Sequence, residues 1–489
     1  MSQDALSPAK RALLQRALSR RRAAAAAPVA IPRRTGEGPA PLSYAQQRMW
    51  FLAQWEPQAP TFNGARAFEC SGPLDREALA RAFAHVVARH ESLRTVVMAG
   101  EQPRQRVLGE GEYVFAVAVH ETGGDAAGLA ETLRELAREP FDLTRDLMLR
   151  VDLFALGGER HVLLVRMHHI AADAHSDRVM FGELAECYTA YLSGREPALP
   201  DLPIQYSDYA VWQRERLEGE RMRELGAWWA AALDGAPPRL RLPTDRPRPP
   251  VQRHAGAHHR LMLERELGTA LLAHGRAQGA TFFMTMLGAY AALLYRLSGQ
   301  EDIVIGSPIA NRDHVELAGM IGFLTNTIAL RVRLAGNPSF REVVARARAA
   351  ALSAYAHQEL PFEKVVEAVA PARDAGHNPI FQANFRAAEA PRPELTLAGV
   401  RAVPLLVDIG FSRFDCALEL ELGAAALGGY FEYDRDLFDS ETVSGWEGDL
   451  RALLHQVAAD PDLPILAVTL EPRRRSTASQ TAITRRRRA

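Results

Sequence analysis

Between Met167 and Met180 the chain reads MHHIAADAHSDRVM, three histidines and two aspartates directly after the apolar run HVLLVRM. Residues of these types bind a metal, handle a proton, or sit satisfied where a strand ends. Side chains leaving a strand alternate, so His168 and His169 point to opposite sides and meet on one ion only if the backbone kinks. The helical HExxH spacing, which puts two imidazoles on one face, is absent. No metal site is therefore expected. Alternation suits a division of labour instead. One imidazole faces inward and fixes the loop, while the other faces a cleft, where a ring of pKa near 6.5 manages a proton at neutral pH. Asp173, four residues on, is placed to return and orient the loop or to pair with a buried arginine. From this segment alone, two satisfied histidines at a strand end remain an open reading.

The elements that must hold this segment are α and β mixed. HVLLVRM is apolar throughout, as expected of a strand buried on both faces. SDRVMFGELAECYTAYLSG reads as a helix with Val179, Met180, Leu184, Tyr188 and Tyr191 inward, stopped by Gly194. Upstream, DREALARAFAHVVARH places Leu79, Phe83, Val86 and His90 on one face behind an Asp75 cap. LRTVVM, YVFAVAV and LMLRVDLF are strand-like, with a helix around AETLRELA. The proline-rich PTDRPRPPVQ (243–252) is the expected connection between two lobes. Beyond it a helix at 281–298 leads to the strand DIVIGSP. A long helix at 339–356 and the strands IFQANFRA, FDCALELEL and LGGYFEYD follow. The division expected is an accessory segment and linker at 1–40, a first lobe at 41–242, a second at 243–472, and a basic tail without apolar period at 473–489. In the first segment Leu6, Leu13, Leu14 and Leu18 fall near helical spacing behind Ser7 and Pro8, which reads as a frayed leader or as a docking helix for another protein.

Composition narrows the class. The chain has 489 residues with 58 basic and 59 acidic side chains. No bulk field draws it to nucleic acid or an anionic membrane. Cys70, Cys187 and Cys416 are far apart and form no CxxC pair, which argues against a disulfide framework and fits a reducing cytoplasm. No apolar run approaches the ~18 residues needed to span a bilayer. A cytoplasmic location is expected.

Seven segments in order then carry a resemblance: LSYAQQRMWFL (42–52), RHESLRT (89–95), HHIAADA (168–174), YSDYAVWQRE (206–215), IGSPIANR (305–312), IGFLTNTIALR (321–331) and HQELPFEKVV (357–366). Along residues 41–470 the chain resembles the condensation domains of non-ribosomal peptide synthetases. The resemblance implies an α/β fold of two chloramphenicol-acetyltransferase-like lobes in a V, with a tunnel between them. It implies amide-bond formation between an acyl or peptidyl thioester on a donor carrier protein and an acceptor amine, aminoacylated on a second carrier. The phosphopantetheine arms belong to the carriers, and no cofactor is expected on this chain. His169 matches the family's second histidine and is assigned the amine's proton, as base or as aiming group. His168 and Asp173 are assigned structural roles. Arg94 is the candidate partner of Asp173, with Arg89 or an arginine elsewhere as the alternatives. Ala174 departs from the family's glycine at a place where glycine's freedom of φ could matter, and His175 is read as a helix-start residue or a second imidazole in the tunnel. No adenylation, carrier-serine or thioesterase motif follows the resemblance. The expectation is either a freestanding unit meeting its carriers in trans or a domain cut from a longer chain. Rival readings are an acyltransferase using a soluble amine or alcohol, and a catalytically silent relative that recruits a partner enzyme.

Overall fold

A computed structural model describes residues 30–36, 38–57, 60–122, 128–372, 374–389, 395–424 and 426–470. The expected docking helix and the basic tail lie outside the described residues. Strands of the first half are β1 (Ala40–Pro41), β2 (Asn63–Ser71), β3 (Thr95–Met98), β4 (Arg104–Val107), β5 (Val117–Glu121), β6 (Leu149–Gly157) and β7 (Arg160–His168). Those of the second are β8 (Gly256–Glu264), β9 (Asp302–Ile309), β10 (Asn326–Arg333), β11 (Ala383–Ala388), β12 (Arg401–Leu405), β13 (Cys416–Leu422) and β14 (Ala426–Asp434). The helices are α1 (Tyr44–Trp55), α2 (Arg76–Arg89), α3 (Leu129–Arg138), α4 (Ala174–Leu192), α5 (Tyr206–Arg216) and α6 (Gly219–Leu233). They continue with α7 (Arg265–Ala277), α8 (Phe282–Ser298), α9 (Phe340–Tyr355), α10 (Phe362–Val369) and α11 (Ser440–Ala459).

A five-stranded sheet has the order β12-β2-β7-β6-β5, and β7 runs through its centre. Leu163 and Val165 face Leu79, Phe83, Met180 and Leu184 of α2 and α4. Leu164 faces the other way, towards Leu133 of α3. Burial on both faces explains the unbroken apolar run, each such side chain contributing about 1.5–3 kcal/mol. A six-stranded sheet has the order β10-β9-β11-β13-β14-β8. One of its faces packs against α7, α8, α9 and α11 in the largest core. A small sheet, β1-β4-β3, completes the set.

Several local expectations need revision. YVFAVAV yields a strand only from Val117. On α4, Phe181 and Cys187 are buried, whereas Val179 and Tyr191 are half-buried. The halves also do not part at residue 243. Leu225, Trp229 and Leu233 of α6 already belong to the second core. The Trp229 indole donates to the His357 carbonyl at 3.0 Å. The proline-rich segment is a strap on that core, where Arg248 donates to Asp415 at 2.9 Å and Asp245 accepts from Thr442 at 2.9 Å. In the opposite sense β12 crosses back, pairing Arg401–Leu405 antiparallel with Ser71–Ala67 of β2. The two halves are thus interleaved, because the unpaired edge of β2 is satisfied by a strand more than 300 residues later in the chain. No single helix among the described residues is long and apolar enough to cross a membrane.

Candidate active site

At the end of β7, Asn63 of β2 stands opposite His168 and ends the ladder there. The His168 ring is buried, its edge near Phe62 and its face tilted to Phe141 at centroid distances of 6.4 and 5.8 Å. Its Nδ1 accepts from the Ile170 amide at 3.1 Å, which closes the turn and leaves the ring proton on Nε2. Burial, then the neighbouring His169 and Arg413, push its pKa down to about 3.

His169 has the opposite arrangement. Its amide donates to the Phe62 carbonyl at 2.8 Å. Its Nδ1 lies 3.1 Å from the Ala172 carbonyl and, facing an acceptor, must carry the proton. Nε2 is then an unprotonated acceptor. The ring is half-buried, 6.0 Å from Phe323. Burial first and Arg413 second lower its pKa to about 4, against the pull of the Ala172 carbonyl. At neutral pH both imidazoles are uncharged.

These shifts predict an acid sensitivity. Both folded-state pKa values, about 3 and about 4, lie below the unfolded value near 6.5. Between pH 6.5 and 4 the unfolded chain therefore binds protons that the folded chain refuses. Stability is complete above pH 6.5 and falls as pH drops through this window. Urea midpoints measured from pH 7 to 4.5 should decline, and the decline should shrink in His168→Gln. A flat midpoint over that range would mean the rings titrate normally.

Asp173 locks the turn. It caps α4, its Oδ1 accepting from the amides of His175 at 3.1 Å and Ser176 at 2.9 Å. Its Oδ2 accepts from the amides of Leu324 and Thr325, both at 3.1 Å. Its charge partner is Arg312 at 3.1 Å, both side chains being nearly inaccessible. Burial opposes the charge, but Arg312 and the Ser176 and Leu324 donors outweigh it and hold the carboxyl below its ordinary range. The assignment of Arg94 is therefore corrected. Its guanidinium donates to the carbonyls of Leu108 and Ala88, tying α2 to the residue that follows β4. Arg89 pairs with Glu183 at 3.1 Å. Ala174 opens α4 without positive φ, so glycine's freedom is not used at this position. His175 Nε2 donates to the Ala318 carbonyl at 3.0 Å and is a helix-start residue, not a second imidazole beside His169.

The segments of the resemblance converge on residues 321–326. The Tyr206 hydroxyl donates to the Phe323 carbonyl at 2.7 Å and lies 2.8 Å from Ser43 Oγ. Ser92 donates to the Ile321 carbonyl at 2.8 Å, and His90 Nδ1 accepts from the Ile321 amide at 3.3 Å. Asn326 donates to the carbonyls of Gln358 and Leu360, each at 2.8 Å. A Cβ on Gly322 would come within 2.2 Å of the Tyr206 ring, so only glycine fits there. Sequence reasoning missed Arg312 as the ion-pair partner, although IGSPIANR contains it. It also missed Phe323 and Arg413; Arg413 stands in GFSRFD, which carries no spacing signal.

The family profile described as condensation domain matches residues 37–478. The chain belongs to the condensation domain family. It is 37% identical over 432 residues to the malpinin synthetase of Mortierella alpina, covering 88% of this chain and 6% of that protein. It is 40% identical over 473 residues to the phosphinothricin tripeptide synthetase PhsC of Streptomyces viridochromogenes, covering 95% of this chain and 43% of that one. The chain thus spans less than half the length of either relative. Among solved structures, it matches the X-domain in the complex of the X-domain and OxyB from teicoplanin biosynthesis, with a TM-score of 0.81 and 30% identity over 92% of this chain and 100% of that one. Like its relatives in the condensation domain family, it has the mixed α/β architecture that the resemblance implied.

Proposed function

We propose that the chain joins an acyl or peptidyl thioester, held on the phosphopantetheine arm of a donor carrier protein, to the amine of an aminoacyl group on a second carrier. The reacting ends meet between the two interleaved halves. The observation that carries this reading is His169, a half-buried neutral imidazole with Nδ1 tied to Ala172 and Nε2 left as an acceptor. Covalent catalysis by cysteine is disfavoured, because burial pushes the thiols of Cys70 and Cys187 up to about 11 and that of Cys416 to about 12. A thioester needs no covalent activation, so positioning supplies most of the effect.

The acceptor ammonium, with pKa near 8, must lose a proton before it attacks. An imidazole of pKa about 4 is too weak a base to strip it. The neutral amine attacks the carbonyl carbon, and its nitrogen becomes cationic and far more acidic. His169 Nε2 accepts that proton as the C–S bond breaks, and the imidazolium returns it to the departing thiolate. Asp173 and Arg312 keep the turn in register without touching substrate.

The test mixes the protein with carriers loaded with N-formyl-aminoacyl donors and with proteinogenic aminoacyl acceptors, reading products by intact mass. Amide formation should rise with pH through the acceptor's pKa near 8, with no second inflection near 6.5. An inflection near 6.5 would show His169 titrating as an unperturbed base. A second reading rests on the likeness to the X-domain found in complex with OxyB: a module that recruits a partner enzyme. Transfer to a soluble amine or alcohol is a third outcome of the same assay. Absence of any transfer product would favour the recruiting module.

A further inference from the structure

The second half of the chain sends one cation into the first half's site. Arg413 stands in the turn before β13, with its backbone held on both sides. Asn378 Nδ2 donates to its carbonyl at 2.6 Å, and its amide donates to Glu432 Oε1 at 3.4 Å. From this anchor the side chain crosses to the segment preceding β2. Nη2 donates to the Thr61 carbonyl at 2.8 Å, and the guanidinium carbon lies 5.1 Å from the centre of the Phe62 ring. Phe62 is the residue whose carbonyl accepts from the His169 amide and whose ring flanks His168. The guanidinium is therefore fixed against the residue that holds the His169 backbone and flanks the His168 ring.

Two features separate Arg413 from a structural arginine. Among the described residues no carboxylate lies within ion-pair distance of its guanidinium, unlike Arg312, Arg166 or Arg248. Its only hydrogen-bond acceptor among them is one neutral carbonyl, which leaves most of the five N–H donors without a protein partner. Burial lowers its pKa to about 10, which keeps it charged at neutral pH. Glu432 is near enough to favour that charge but makes no ion pair with the guanidinium, and a half-buried cation so loosely compensated is costly unless the site needs positive charge.

We propose that Arg413 donates hydrogen bonds to the oxyanion that forms when the acceptor amine attacks the thioester carbonyl. This role rests on the condensation reading. In that step the carbonyl π pair moves onto oxygen, giving a full negative charge on that oxygen, whose carbon is now bonded to sulfur and to the new nitrogen. The guanidinium stabilises this charge without transferring a proton. The oxygen pair then re-forms the carbonyl as the C–S bond breaks. His169 and Arg413 thus serve opposite charges of one adduct, the imidazole at nitrogen and the guanidinium at oxygen. The same placement accounts for Arg413 being the strongest charged influence on the His169 ring, ahead of Arg66 and Asp173.

The experiment compares wild type, Arg413→Met and Arg413→Lys as full chains in the carrier assay, with an NMR titration of His169 in each. For Arg413→Met, kcat should fall by roughly 10²–10³, the range for losing one oxyanion donor, with KM for both carriers unchanged. Arg413→Lys should recover part of that loss, and the His169 titration should move upward in Arg413→Met. Full activity in a folded Arg413→Met variant would overturn the role. So would a kcat loss with an unmoved His169 titration and a lowered melting temperature, which marks a structural pin. An inactive wild type would remove the condensation reading and this role with it, whereas an active wild type beside an equally active Arg413→Met removes only the role.

Discussion

His169→Ala is expected to lower amide formation by roughly two to four orders of magnitude, the range for losing a positioned proton-transfer group, while the protein melts close to wild type. The ring is half-buried, and among the described residues its one hydrogen bond is the Nδ1 contact with the Ala172 carbonyl. Its removal therefore opens little core. His168→Ala is the contrasting variant, because it empties a site among Phe62 and Phe141 and releases the Ile170 amide. It should lose stability first and activity as a consequence. His169→Gln separates aiming from proton transfer, since the amide oxygen accepts a hydrogen bond but takes no proton. Wild-type turnover in His169→Gln would reduce the imidazole to an aiming group. Wild-type turnover in His169→Ala would remove it from the mechanism. Single-turnover rates with preloaded carriers are the measurement, because they isolate the chemical step from carrier exchange.

Much of the site was legible because its rules are local. Period-two alternation sends His168 and His169 apart, and in the structure one ring lies among aromatics while the other meets Ala172 and Phe323. The cap at Asp75 follows from residue type and spacing within three positions. Failures lie where the partner is distant. Asp173 and Arg312 are 139 residues apart, and nothing in the spacing of either one names the other. Arg94 was a candidate because it sits in a neighbouring segment of the resemblance, yet its guanidinium is consumed by backbone carbonyls. The boundary at residue 243 failed for a related reason. Proline density marks a stiff segment but does not say which core it lies against. Arginine–aspartate pairs hold this one to the second core. The crossing of β12 leaves no local trace either, because Arg401–Leu405 reads as an ordinary short strand and only the open edge of β2 selects its place.

The second large effect is on stability. Asp173→Asn should cost about 3–5 kcal/mol, the typical result of leaving one member of a buried ion pair uncompensated. The geometry makes the isosteric change severe. Both carboxylate oxygens accept from backbone amides, Oδ1 from His175 and Ser176 and Oδ2 from Leu324 and Thr325, with the Ser176 and Thr325 hydroxyls and Arg312 also donating to them. An asparagine NH₂ group in either position sets donor against donor, and Arg312 keeps its charge with no counter-ion. The α4 cap and the 321–326 segment should loosen together, carrying Phe323 away from His169, so activity falls with stability. Arg312→Met should cost a comparable amount. The double variant should be less destabilised than the sum of the two, because removing both charges leaves neither stranded. The pH dependence carries a sign of its own. The folded carboxyl is held below the unfolded value of 3.8, so its contribution is complete above that pH and is lost as pH falls further. In Asp173→Asn that low-pH loss should disappear from the urea midpoint, while the His-linked decline between pH 6.5 and 4 persists. Unchanged urea midpoints with abolished turnover would instead make Asp173 a direct participant in the chemistry, since a purely structural carboxylate cannot be neutralised here without cost to the fold.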